Sequence, residues 1–158
     1  MKKLLFPILV LVLALAVASP ALVAGPLHQA SGGGTVDWPG GRVTYGFVAQ
    51  QIDELGNAKG NAQFYHRDVN EYPDHADVLY LVVDTNTGDA WIGAVITQSQ
   101  DPGLVGQEIY WRVRDNGEGS KASGPDMVSS VALGDADNAL SKPGLSLYEW
   151  TNGNVKVK

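Results

Sequence analysis

The sequence predicts an all-β protein: an antiparallel β-sandwich of jelly-roll type with about eight strands, or as the alternative a closed antiparallel β-barrel. Three observations carry that prediction. Apolar residues recur with a period of two in several short runs, clusters of Gly, Asn, Asp and Pro separate those runs at regular spacing, and no useful length of the chain beyond its start shows helical apolar spacing.

The start is different. Met1-Lys2-Lys3 is basic, and Leu4 to Ala18 (LLFPILVLVLALAVA) is apolar and uncharged. At about 20 residues for a comfortable bilayer crossing the run is short, and it suits the core of a secretory signal peptide better than an anchor helix. Pro20 ends it, and Ala24 offers a small residue for cleavage, with Ala18 as the competing site. The expected organisation is a signal peptide over residues 1–24, a flexible lead-in over residues 25–34 (GPLHQASGGG), and one β-sandwich domain over residues 35–158. The chain contains no cysteine, which excludes both a lipid-anchored lipoprotein and a disulfide framework. An exported domain of this kind has to hold together by its core.

Arg42 to Gln50 (RVTYGFVAQ) alternates Val43, Tyr45, Phe47 and Ala49 with mostly polar residues and reads as a half-buried strand. The turn residues Asp53 to Gly60 then lead into Asn61 to Arg67 (NAQFYHR), so the two form a hairpin. Ala76 to Asp84 (ADVLYLVVD) is nearly all apolar, as in a central strand. Asp84 to Asp89 (DTNTGD) turns the chain and Ala90 to Gln98 (AWIGAVITQ) returns it. Beyond the loop Gln100 to Gly106, Glu108 to Arg114 (EIYWRVR) places Ile109, Trp111 and Val113 on one face. Met127 to Leu133 and Asn154 to Lys158 complete the set, with Leu145 to Trp150 undecided between strand and loop.

A formal net charge of −6, more negative once Lys2 and Lys3 are removed, argues against nucleic acid as a partner, and against an anionic membrane after signal cleavage. It favours solubility outside the cell.

The stretches GGGTVDWPGGRVTYGF, GNAKGNAQF, AWIGAVITQS, GQEIYWRVRDNGEG and WTNGNVKV, in that order, resemble a group of secreted bacterial β-proteins similar to the post-COAP domains of large extracellular proteins. The resemblance spans roughly residues 31 to 158 and implies an all-β extracellular module. It implies no activity. Members of the group it resembles often carry a cysteine pair near the positions of Tyr80 and Asn138, and this sequence has neither.

Candidate chemistry is sparse. Asp115, Asn116 and Glu118, in the Gly-relaxed stretch DNGEG, can offer oxygens to a hard cation such as Ca²⁺ with Asp126 folding in; the same residues equally make a tight strand connection. His66 and His75 with Asp68, Asp74 and Asp77 form the one histidine and carboxylate concentration, and read better as surface residues around the Tyr72-Pro73 turn than as a zinc site. The four tryptophans alternate with Val, Ile and Phe and belong to the core. Tyr65 and Tyr110, of opposite parity to Phe64 and Trp111, are the expected exposed, ligand-binding aromatics. No nucleophile motif, phosphate loop or catalytic residue is recognisable, and no cofactor is expected unless the Asp115 to Asp126 loop holds Ca²⁺. The expectation is a secreted, non-enzymatic binding module for an extracellular ligand, a glycan or a protein. The alternatives are a calcium-stabilised carbohydrate-binding module and a small carboxylate-dependent hydrolase.

Overall fold

A computed structural model describes residues 25–38 and 40–158. The expected signal peptide, residues 1–24, and Pro39 lie outside the described residues. The described chain makes one antiparallel sheet of ten strands, curled into an open half-barrel with almost no helix. The strands are β1 (Gln29–Trp38), β2 (Gly41–Gln51), β3 (Ala58–His66), β4 (Asp74–Asp84), β5 (Asp89–Gln98), β6 (Glu108–Arg114), β7 (Met127–Ser129), β8 (Ala132–Leu133), β9 (Leu147–Glu149) and β10 (Asn152–Val157). Their order across the sheet is β10-β1-β2-β3-β4-β5-β6-β7-β9, with β8 also pairing β6.

The expected strands from residue 42 to residue 114 fall within a few residues of β2 to β6. Three expectations need correction. The flexible lead-in over residues 25–34 is mostly strand, because β1 starts at Gln29 and pairs with both β2 and β10. Its glycines are not linker residues: a Cβ on Gly32 would stand 3.0 Å from the Phe47 ring, and one on Gly34 would stand 2.4 Å from the Trp150 ring. Glycine inside a strand often marks such a close approach, and here it admits two aromatic rings against the backbone. Second, Met127 to Leu133 is two strands. The Ser129 hydroxyl accepts a 2.9 Å bond from the Arg112 backbone N–H and donates to the Ser130 carbonyl, displacing the ladder where the strand breaks. Third, the undecided stretch over residues 145–150 contains β9.

One face of the sheet carries the core. Tyr45, Phe47 and Ala49 of β2, Ala62 and Phe64 of β3, Val78 and Leu81 of β4, Ile92, Ala94 and Ile96 of β5, and Ile109, Trp111 and Val113 of β6 are all buried. The rings touch in a connected series: Trp38 against Tyr45, Tyr45 edge-on to Phe64 at 5.3 Å, Phe64 edge-on to Trp111 at 5.2 Å, and Trp111 edge-on to Phe47 at 6.1 Å. Edge-to-face geometry matches the positive rim of one ring to the negative face of the next, and each pair adds about 1 kcal/mol beyond its buried area. The tryptophans follow expectation, with Trp91, Trp111 and Trp150 buried and Trp38 packed partly against the core.

Trp91 is the exception in direction. It lies on the opposite face, where the segment after β8 folds back and covers it. Its indole N–H donates a 2.9 Å bond to the Pro143 carbonyl, and Arg112 and Lys142 stand over the ring at 5.2 and 5.7 Å. A 3-10 helix, Ala136–Ser141, lies on the sheet beside it, with the Ala136 carbonyl against Gly93.

Candidate functional site

The most developed surface feature follows directly from strand register. Phe47, Ala62, Ala76 and Ile96 are partners across β2, β3, β4 and β5, and all four side chains point into the core. Because successive residues alternate faces, the outer face along that line is bare backbone. On one side of it runs the row Gly46, Gln63, His75 and Gln98, again register partners; on the other runs Val48, Asn61, Asp77 and Val95. The two rows stand about 7 Å apart, two residues along a strand, and cross four strands over about 14 Å. Between them lies an open trough of about 670 Å³, with Thr97 at its β5 end.

Asn61, Gln63, His75, Asp77, Thr97 and Gln98 are exposed. Amides, an imidazole, a hydroxyl and a carboxylate supply both donors and acceptors. That mixture suits a ligand rich in hydroxyl groups.

The expected ligand-binding tyrosines are separated. Tyr65 lies on the outward face of β3, two residues beyond Gln63, and pairs across to Thr44. It therefore extends one wall of the trough. Tyr110 pairs with Gly93 and Ala132, three strand positions away, against the segment after β8, where Gly134 approaches its ring. Both are half-buried rather than free, and they do not form one aromatic strip.

The acidic residues around DNGEG do come together, and the backbone of β10 is what they meet. Asp126 accepts the Asn116 N–H at 2.9 Å on one oxygen and the Val155 N–H at 2.6 Å on the other. Asp115 accepts the Gly117 N–H at 2.8 Å and the Val157 N–H at 3.0 Å. Asn116 donates to the Pro125 carbonyl, and Glu118 accepts from Asn154 and Lys156, whose ammonium holds the Glu118 carboxyl below its usual range. β10 pairs with β1 on one edge only, so its other edge presents unpaired N–H groups. The two aspartates close that edge. A cation here would have to take oxygens that already hold the strand, and no cluster of three or more His, Asp or Glu able to hold a metal occurs among the described residues.

The histidine group is dispersed. His75 and Asp77 line opposite walls of the trough, His66 is half-buried at the end of β3, Asp68 accepts from the Arg42 backbone, and Asp74 turns toward the interior beside Phe64.

The strongest charged arrangement was invisible as a motif. Asp89, only 2% exposed, accepts two bonds each from Arg112 and Arg114 at 2.8 to 3.0 Å. Burial pushes its carboxyl up, but the Arg114 and Arg112 guanidiniums outweigh that and hold it at about 2. Its place at the β5–β6 ladder, capped by the Arg112 stack on Trp91, marks it as architecture.

Comparisons of the chain with protein families, with curated proteins and with solved structures find no match. The trough and the edge closure are therefore read from their own chemistry.

Proposed function

We propose that the protein is a secreted, non-enzymatic binding module that holds a segment of glycan in the trough across β2 to β5. The observation that carries this reading is the pair of register-matched rows, Gln63-His75-Gln98 and Asn61-Asp77, bounding a bare-backbone floor. A chain of sugar rings lying across the strands offers hydroxyls to both walls, and Tyr65 supplies a ring face at one end. Hydrogen bonds to exposed side chains of this kind give modest affinity and selectivity without chemistry.

The finer architecture proposed with it is an antiparallel barrel left incompletely closed, rather than two packed sheets. β9 and β10 stand at opposite ends of the sheet order, yet only Trp150 and Thr151 separate them. Trp150 N–H donates to the Asp126 carbonyl on the β7 side, and Thr151 N–H donates to the Thr35 carbonyl of β1. One bent segment thus serves both ends of the sheet, as a closing strand would.

The test is titration of the purified protein against a panel of soluble polysaccharides by calorimetry, together with Gln63→Ala and Asp77→Ala. Saturable binding to one class, weakened by about tenfold in each variant at unchanged thermal midpoint, is expected for the loss of one hydrogen-bonding group. Binding that ignores both substitutions, or none across the panel, removes the reading. Release of reducing ends would move the protein to the hydrolase class.

A further inference from the structure

The outer surface does not end at the wall of the trough. His75 and Gln98, which stand in that wall, also line a second open depression of about 370 Å³, completed by Tyr72, Pro73, Ser99 and Gln100. Pro73 precedes His75 by two residues and shares its outward parity, so this hollow lies past the start of β4 and the end of β5. A ligand in the trough that bears a substituent can pass it over the shared wall.

The two sides of the hollow differ in chemistry. Tyr72, 64% exposed, and Pro73 make its apolar side. The segment after β5 makes its polar side. There Gln100 Oε1 accepts the Glu71 N–H at 2.8 Å, which ties that segment to the turn carrying Tyr72. What the Gln100 amide offers a ligand is therefore its nitrogen, with two N–H donors. Ser99 Oγ accepts the Asp101 N–H at 3.0 Å and keeps its own O–H to donate. This side calls for an acceptor.

An anionic acceptor fits poorly, because Glu71 and Asp74 flank the Tyr72-Pro73 turn, Asp101 follows Gln100, and the chain carries a formal net charge of −6. A cation is no better served, since none of the lining residues is a carboxylate. The chemistry that remains is a small neutral group with a carbonyl oxygen for Gln100 and Ser99 and an apolar end for Tyr72 and Pro73. An acetamido group has both. It also has an N–H, for which Gln98 Oε1 and a ring nitrogen of His75 on the shared wall are acceptors.

We infer that this depression is a subsite for the acetamido group of an N-acetylated amino sugar whose ring sits in the trough beside His75 and Gln98. The inference rests on the glycan reading of the trough and narrows it to glycans that contain such sugars.

The experiment is calorimetric titration of the purified protein with tetramers of N-acetylglucosamine, glucosamine and glucose in one and the same linkage, which differ only in the substituent beside the anomeric carbon. The acetylated tetramer should bind at least about tenfold tighter than either of the others. Gln100→Glu keeps the acceptor for the Glu71 N–H but removes the two N–H donors, and should bring the acetylated tetramer down to the affinity of the glucose tetramer. Tyr72→Ala, at an exposed position, should weaken the acetylated tetramer and leave the glucose tetramer unchanged, and it decides if Gln100→Glu does not fold. Equal binding of acetylated and glucose tetramers, both weakened by Gln63→Ala, would overturn the inference and leave the trough reading standing. Binding of the glucosamine tetramer as tight as the acetylated one, or a preference for the acetylated one that survives in the folded variants, would also overturn it. So would no binding of the acetylated tetramer, and the trough reading would then stand or fall on its own polysaccharide panel.

Discussion

The carboxylate of Asp126 accepts the backbone N–H of Val155 at 2.6 Å, joining the residue before β7 to the terminal strand β10. The other oxygen of the same carboxylate accepts the Asn116 N–H, so one side chain ties together two loops' worth of chain and a strand edge. Asp126→Ala leaves two backbone donors without acceptors, and each such donor costs about 1–3 kcal/mol when buried. A loss of about 3 kcal/mol is expected, a fall of roughly 10 °C in thermal midpoint for a domain of this size. Asp126→Asn, which keeps one acceptor oxygen, should lose about half as much. A midpoint unchanged in Asp126→Ala would mean that β10 is held by β1 alone.

Calcium follows from the same bonds. A hard cation wants six to eight oxygens at about 2.4 Å, and the oxygens of Asp115 and Asp126 already face N–H groups. The thermal midpoint should be the same in EDTA and in millimolar Ca²⁺. A rise of several degrees in Ca²⁺, absent in Asp115→Ala, would show preferential binding to the folded state and support the ion reading instead.

Asp89 predicts an acid-side dependence. Its carboxyl sits at about 2 in the fold against 3.8 for the free group, so the unfolded chain binds the proton more readily. The contribution to stability, about 2 kcal/mol, is present above pH 3.8 and is lost as pH falls through about 2. Asp89→Asn removes the charge that Arg112 and Arg114 share, which costs about 3 kcal/mol at neutral pH because both guanidiniums lose their acid. Urea denaturation of both proteins should show that gap narrowing steadily between pH 4 and pH 2. A gap independent of pH would mean that the amide's geometry, rather than the charge, is at fault.

The central strands were legible because each packs one face on the core, so Val43-Tyr45-Phe47-Ala49 and Ile109-Trp111-Val113 write their period into the sequence. β1 was not, because the two inward positions between the buried Ala30 and Val36 are Gly32 and Gly34, which make room for rings carried by Phe47 and Trp150 far along the chain. A side chain that is absent leaves no period to read. The trough was hidden for a related reason: Gln63, His75 and Gln98 are ordinary outward residues until the register aligns them, and register is set by pairing rather than by any one strand. The acidic loop was the reverse case. Its residue types are common to ion sites and strand connections, and only the positions of Val155 and Val157 distinguish the two uses.

Gly93 gives the last prediction. It lies mid-strand in β5 on the outer face, and a Cβ there would stand 2.0 Å from the Ala136 carbonyl oxygen, which is backbone and cannot swing aside. Gly93→Ala must therefore lift the segment from Gly134 to Pro143 off the sheet. That segment shields Trp91, and the Trp91 bond to the Pro143 carbonyl goes with it. The expected cost is about 1–3 kcal/mol, the range for forcing extra volume into a packed contact. Its signature should be local: faster hydrogen exchange and new protease sensitivity confined to residues 134–145, with a red-shifted Trp91 emission and unchanged protection in β2 and β3. Uniform loss of protection across the sheet would instead make the segment part of the cooperative core. Unaltered exchange would mean that the 3-10 helix does not rest on Gly93 in solution.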